Sequence, residues 1–300
     1  MNFPEAGRFE AKLGKKPFLV TMEVNPPKGT DLSEMLKAVE RVKGLVDAIN
    51  VTDGSGAIMR ACSLAVAKVV LDAGVDPILQ MTCRDRNRLA LQADLLGASI
   101  LGIRSVLLLT GDDPKAGDHP EAKPVFDINS AALMQVTKGL AAGADMAGKP
   151  LSGTPRFCIG AAADPGAKDL NVEAQKLQAK IQGGAQFFQT QAVFDAAKLH
   201  AFMERAKPLG KPILAGILLV KSAKMARYMN EHVWGIHVPD ELIARFEQAG
   251  DKRAECVAVT AALIRAVRDS AGGIHLYALG WEDLVPEILK RADLERSMRV

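Results

Sequence analysis

The sequence predicts a (β/α)8 barrel, and three observations predict it. Eight short, β-rich apolar runs alternate with longer stretches of helical period along 300 residues. Most of the short runs are apolar at consecutive positions, as strands of a parallel sheet covered on both faces are. No linker or low-complexity tract interrupts the alternation, so residues 1–300 read as one barrel domain with a short polar N-terminal extension. A barrel of this kind typically takes ~250 residues, and the surplus fits into loops. A doubly wound open sheet is the alternative; against it, the chain has no GxGxxG after a strand and no GxxxxGK[ST].

The first strand, 18–24, carries Glu23 near its end and is stopped by Pro26-Pro27, because proline donates no ladder hydrogen bond. The helix after it, 32–46, rests on Leu32, Met35, Leu36, Val39, Val42 and Val46 at helical period, with Asp31 or Ser33 as its N-cap. Strand 48–52 leads to helix 58–73, strand 77–82 to helix 87–101, and strand 105–110 to helix 130–142. Strand 157–163 leads to helix 172–181, strand 187–191 to helix 196–206, and strand 213–218 to helix 223–231. A short extra helix, 240–248, precedes the last long one, 255–270, and strand 274–279 closes the repeat. Gly74, Gly102, Gly143, Gly183 and Gly250 stand where C-terminal caps are wanted. The longest loop, 112–127, holds four prolines or glycines, and loops of that length are more often functional than idle.

Composition excludes several classes. Hydrophobic content of 48% with 24% charged residues suits a well-cored globular chain. A net charge of +3 without a Lys/Arg run gives no footprint for nucleic acid. The four cysteines form no CxxC pair and read as reduced, mostly buried thiols. His119, His200, His232, His237 and His275 are scattered, so no metal site is expected and each reads as a surface or internally satisfied histidine. Residues 1–16 are polar and of mixed charge, unlike a signal peptide, and no apolar run reaches the ~18 residues of a membrane span. The expectation is a cytoplasmic protein without membrane or nucleic-acid partners.

Barrels of this type work at the C-terminal ends of their strands. In order, those ends carry Glu23, Thr52-Asp53, Gln80 with Thr82, Thr110-Gly111-Asp112, Asp164-Pro165, Gln189-Thr190-Gln191, Lys221-Ser222 and Tyr277. Hydroxyls, amides and carboxylates dominate, and no nucleophile stands out. Such a ring suits an organic cofactor that performs a redox or group-transfer step while the protein positions it and moves protons. Glu23 is the candidate proton donor or acceptor, and Asp112 a second carboxylate of the same pocket with a separate duty. The plainer alternative has Asp112 capping the loop at Gly111 and Glu23 paired with a lysine.

Glu23 with Pro26-Pro27, Val51-Thr52, Thr110-Gly111-Asp112 with Pro114, and Thr190-Gln191 with Phe194-Asp195 together resemble the methylenetetrahydrofolate reductase family. The resemblance runs in order from about Phe18 to Tyr277, nearly the whole chain. It implies an FAD-containing barrel that reduces 5,10-methylenetetrahydrofolate to 5-methyltetrahydrofolate, usually with NAD(P)H reducing the flavin first. By position it makes Glu23 the acid that protonates the folate as its ring opens. Asp112 would lie between flavin and pterin, Gln191 would contact the pterin, and Tyr277 would belong to the folate side. Thr52, Asp53, Gln80, Thr110, Gly111, Asp112, Lys180 and Ala185 would form the flavin site. Lys180 could meet the FAD pyrophosphate or be a solvated helix position.

Five positions depart from the family's pattern. Gln80 replaces a histidine, Thr110 an arginine, and Trp281 stands near a substrate-contacting arginine. Met225 and Met229 replace a glutamine and a nicotinamide-stacking phenylalanine, which leads to the expectation of an electron-donating partner protein in place of NADH. The two methionines would then form a docking surface or simply core. The chain's end soon after the eighth strand leads to the expectation that it lacks the regulatory domain of eukaryotic members. Competing readings are a pterin-binding methyltransferase without flavin, a flavin and folate subunit fed by a partner, and a barrel that has lost catalysis. A homo-oligomer or hetero-complex is expected.

Overall fold

The computed structural model of the protein describes residues 8–233 and 235–294. Eight parallel strands close into a barrel in sequence order, each pairing with the next and the last with the first. They are β1 Leu19–Val24, β2 Ala48–Val51, β3 Pro77–Thr82, β4 Ser105–Leu109, β5 Cys158–Ala163, β6 Phe187–Ala192, β7 Ile213–Leu218 and β8 Gly273–Tyr277. The helices are α1 Phe9–Lys12, α2 Ser33–Val42, α3 Ser63–Asp72, α4 Arg88–Ile100, α5 Ser130–Ala141 and α6 Leu170–Gln182. They continue as α7 Ala196–Ala206, α8 Ala223–His232, α9 Asp240–Gln248, α10 Lys252–Val267 and α11 Val285–Arg291. The expected barrel is therefore what the chain forms, and no helix among the described residues is long and apolar enough to cross a membrane.

Alternation along each strand divides the core in two. Val20, Met22 and Val24 of β1 face outward and pack with Val39 and Val42 of α2. Leu19, Ala48, Ile78, Leu107, Cys158, Phe187 and Leu214 face inward and form a separate cluster with Phe9. Phe9 belongs to α1, so α1 forms the floor of the barrel. Its ring meets Phe187 edge-on at 5.0 Å. Gly160 makes room for the Phe187 ring, because a Cβ there would lie 2.3 Å from it. Asp76 holds α1 in place, accepting from Phe9 N at 2.7 Å and from Arg8 at 3.0 Å.

Several boundaries differ from the sequence reading for local reasons. The helix expected from residue 58 begins at Ser63, because Ser55–Ala57 forms a 3₁₀ turn and Ala61 N donates to Pro27 O. Leu32 occupies the N-cap of α2, while Asp31 accepts from Ser33 N at 2.9 Å one step earlier. Gly183 is right-handed and its neighbour Gly184, at φ 110°, makes the left-handed turn. Gly250 has no positive φ either. Helices α1 and α11, at four and seven residues, are too short to give a periodic signal.

Candidate active site

Glu23 stands on the inward face at the C-terminal end of β1 and is 8% exposed. The ionisable group beside it is not a lysine. His275 of β8, 1% exposed, places Nε2 at 3.8 Å from Glu23 Oε2. The other ring nitrogen, Nδ1, lies 2.9 Å from Thr21 Oγ1. Tyr277 packs edge-on against His275 at 4.6 Å, and its hydroxyl donates to Thr190 O at 2.8 Å. Burial, with the Glu23 charge beside it, holds the Tyr277 phenol well above its ordinary range. At neutral pH it is a proton-bearing donor, not a base.

On the β2 to β4 side, Asp53 is a strut. One oxygen accepts from Thr82 N at 2.8 Å, Thr82 Oγ1 at 2.9 Å and Arg86 at 2.7 Å. The other accepts from Ser63 Oγ and Arg86, both at 3.1 Å. Burial opposes its charge, but Arg86 and Thr82 outweigh it and hold the carboxyl below its usual value. Thr52 is buried and donates to Asn25 Oδ1 at 2.8 Å. Gln80, 8% exposed, makes no hydrogen bond through its amide among the described residues. Thr110 is exposed, and its hydroxyl meets Ser130 Oγ at 3.2 Å at the start of α5.

Asp112 is exposed, and its Oδ2 accepts from Gly56 N at 2.9 Å. It therefore ties the β4 loop to the β2 loop, and no contact among the described residues joins it to Glu23. Asp118 of the same β4 loop adds a second tie to the β2 loop, accepting from Met59 N at 2.9 Å, and one to the β1 loop, accepting from Lys28 at 2.5 Å. Under the loop pair lies a cleft of about 370 Å³ lined by Asp53, Arg60, Cys62, Arg84, Arg86 and His119 among others. The arginines had no place in the sequence reading, and they sit beside the mouth of the barrel.

On the β5 to β7 side, Lys180 of α6 reaches back and donates to Ala162 O at 2.7 Å. Burial pulls its ammonium below the ordinary lysine value, so it is not a solvated helix position. Ala185 is fully enclosed and donates its N–H to Lys180 O at 2.9 Å. The β6–β7 register shifts between Gln189 and Ala192. Gln191, inside that irregularity, is exposed and lines a small pocket with Asp164, Phe194 and His237. Met229 is 5% exposed within the core, and Met225 packs against the same core. Met229 is therefore core, and Met225 is half-buried beside it.

The family model described as Methylenetetrahydrofolate reductase matches residues 8–293. The chain belongs to the methylenetetrahydrofolate reductase family. It is 26% identical to a probable methylenetetrahydrofolate reductase (NADPH) of Caenorhabditis elegans, over 96% of this chain and 44% of that protein. It is 23% identical to methylenetetrahydrofolate reductase 1 of Schizosaccharomyces pombe, over 93% of this chain and 47% of that protein. It thus spans about half the length of those two relatives. The 5,10-methylenetetrahydrofolate reductase of Pectobacterium carotovorum is 26% identical over 76% of this chain and 72% of its own. Among solved structures, 2,3-dimethylmalate lyase aligns with a TM-score of 0.50 at 14% identity, covering 93% of this chain and 84% of that one, a likeness of fold alone.

Within the methylenetetrahydrofolate reductase pattern, the structure brings Glu23 and Tyr277 together at the β1–β8 seam. It leaves Asp112 and Gln191 on the rim. His275 was missed, being one of five scattered histidines. Strand parity could have found it, since His275 and Tyr277 share the inward face of β8. Trp281, by the end of β8, has two cations near its ring, Lys221 Nζ at 5.4 Å and Arg253 at 5.0 Å.

Proposed function

We propose that this chain reduces 5,10-methylenetetrahydrofolate to 5-methyltetrahydrofolate, with bound FAD as hydride carrier and a reduced nicotinamide as the source of electrons. The observation that carries the reading is Glu23, a carboxylate only 8% exposed at a strand end beside a buried imidazole and phenol. Buried carboxylates are rare unless paired or used. The family match over residues 8–293 supports the substrate class, and the name of the C. elegans relative supports the nicotinamide. Met229 lies in the core, so it lends no exposed surface to a protein electron donor.

The residues at the ends of β3, β4 and β5 fit a flavin. The Gln80 amide is without a partner among the described residues, as a group awaiting a ring nitrogen or carbonyl would be. Gly111 bares its backbone, because a Cβ there would lie 2.9 Å from Thr82 Cβ. Lys180 donates one of its three protons to Ala162 O and has two left for a phosphate. Thr110 would add a hydroxyl at the start of α5, while Thr52, Asp53 and Ala185 would shape the walls behind. When bound, FAD supplies the hydride that the protein itself cannot.

The chain's own part is to move the proton and hold the substrate. Glu23 delivers a proton to the folate nitrogen that leaves the methylene carbon as the five-membered ring opens. Asp112 sets a negative charge at the rim, where it offsets positive charge developing on the pterin. Gln191 offers an amide to the pterin's edge, and Tyr277 closes the seam behind Glu23. The test is a visible absorbance spectrum of the purified protein, followed by anaerobic assay of 5-methyltetrahydrofolate formation. Flavin bands with product formation are expected. A colourless protein that binds folate and takes up no FAD would contradict the proposal and restore the flavin-free methyltransferase reading.

A further inference from the structure

Beneath Glu23 the barrel interior holds a chain of polar side chains that the reaction so far leaves unexplained. Asn50 of β2 and Gln189 of β6 exchange two amide bonds. Asn50 Nδ2 donates to Gln189 Oε1 at 2.7 Å, and Gln189 Nε2 donates to Asn50 Oδ1 at 3.0 Å. Gln189 Nε2 also donates to Thr21 Oγ1 at 3.2 Å. Thr21 Oγ1 meets His275 Nδ1 at 2.9 Å, and His275 Nε2 faces Glu23 Oε2. Thr21, Asn50, Gln189 and His275 are each 3% exposed or less. Such a layer brings little stability that apolar side chains would not.

Donor counting gives the chain a direction. A hydroxyl has one proton and two lone pairs. Thr21 Oγ1 already accepts from Gln189, so its own proton goes to His275 Nδ1 at 2.9 Å or to Ile274 O at 3.4 Å. The 2.9 Å contact is a hydrogen bond in either tautomer, so the far side of the ring decides: a bare Nε2 would turn its lone pair on the Glu23 carboxylate, whereas an Nε2–H offers it a proton. Nδ1 is then an acceptor, and the ring proton sits on Nε2, on the side of Glu23.

We propose that His275, held as the neutral Nε2–H tautomer by Asn50, Gln189 and Thr21, is the positioning residue for Glu23. The proposal rests on Glu23 being the proton donor. A protonated carboxyl has one oxygen that only accepts. The His275 Nε2–H claims Oε2 in that role, which leaves the acid proton on Oε1, turned away from the histidine and free for the substrate. At 3.8 Å the contact is too long for a hydrogen bond. A shift of roughly 1 Å by the Glu23 side chain closes it, of the kind that accompanies formation of a substrate complex. The Tyr277 ring edge, fixed through its hydroxyl on Thr190 O, keeps the imidazole from swinging.

The test is a nitrogen-15 spectrum of the imidazoles in the full-length protein, with the signals of His275 assigned by their loss in His275→Gln. The expected result is a neutral ring protonated at Nε2 in the wild type and in Thr21→Ser. In Thr21→Val the ring shifts towards the Nδ1–H form. Thr21→Val should also slow folate reduction on the order of 10-fold while leaving flavin reduction by the nicotinamide unchanged, and Thr21→Ser, which keeps the hydroxyl, should restore the rate. A wild-type ring protonated at Nδ1, as if both amides were turned over, or at both nitrogens, would overturn the proposal. So would a Thr21→Val spectrum like that of the wild type. If Thr21→Val does not fold, the wild-type spectrum alone decides. Activity surviving in Glu23→Gln would sink the acid role but leave the tautomer standing, so the two failures are distinguishable.

Discussion

Two strand-end carboxylates, Glu23 and Asp53, differ in what their partners leave free. Asp53 has both oxygens occupied by Arg86, Thr82 and Ser63, whereas Glu23 has one buried imidazole at 3.8 Å. Asp53→Asn should therefore cost about 3 kcal/mol in urea unfolding, because it leaves the Arg86 charge half-paired; Asp94 still holds the guanidinium at 2.7 Å. The pH dependence follows from the sign of the shift. The folded Asp53 carboxyl lies below its unfolded value, so its contribution is complete above pH ~4 and is lost as pH falls further. The stability gap between wild type and Asp53→Asn should shrink on acidification below that point, and a gap that widens there would contradict the assignment. Glu23 was legible because a charge inside an apolar run is anomalous on sight. His275 was not, since a histidine is unremarkable until strand parity and the closure of β8 on β1 bring it to Glu23. The tie from Asp112 to Gly56 N was not legible either, because it joins two loops far apart in sequence.

Elements with continuous apolar runs read clearly: β3 and β7 match their expected bounds, and the other strands differ by at most two residues at an end. Parallel strands buried on both faces leave the sequence little freedom there. The loops gave less away, because their conformation depends on contacts far along the chain. Loop 112–127 crosses the β2 loop so closely that a Cβ on Gly117 would lie 1.9 Å from Ala57 O. Gly111, which opens that loop at φ 95°, is where the loop meets the proposed flavin site. Gly111→Ala should lose about 1–3 kcal/mol of stability from backbone strain. It should also bind FAD more weakly, because the methyl group would push against Thr82. Thermal unfolding and a flavin titration check the two effects; unaltered values in both would place the cofactor elsewhere.

At the scale of the whole molecule the barrel has a plugged floor and a working rim, and the two are separable. Phe9 is 0% exposed and joins inward residues of seven strands into the floor cluster. Phe9→Ala should lower stability by about 3–5 kcal/mol in urea unfolding, with little change in KM for folate in the protein that remains folded. The barrel was legible from the alternation of runs; the plug was not, because a four-residue helix carries no period. The central claim concerns the rim, that Glu23 supplies the proton for folate reduction and none for reduction of the cofactor. It is tested by stopped-flow measurement of the two half-reactions of FAD-loaded Glu23→Gln under anaerobic conditions. Flavin reduction by the nicotinamide should proceed at the wild-type rate, and oxidation of the reduced flavin by methylenetetrahydrofolate should slow by ~100- to 10,000-fold. Equal losses in both half-reactions, or none in the second, would contradict the account.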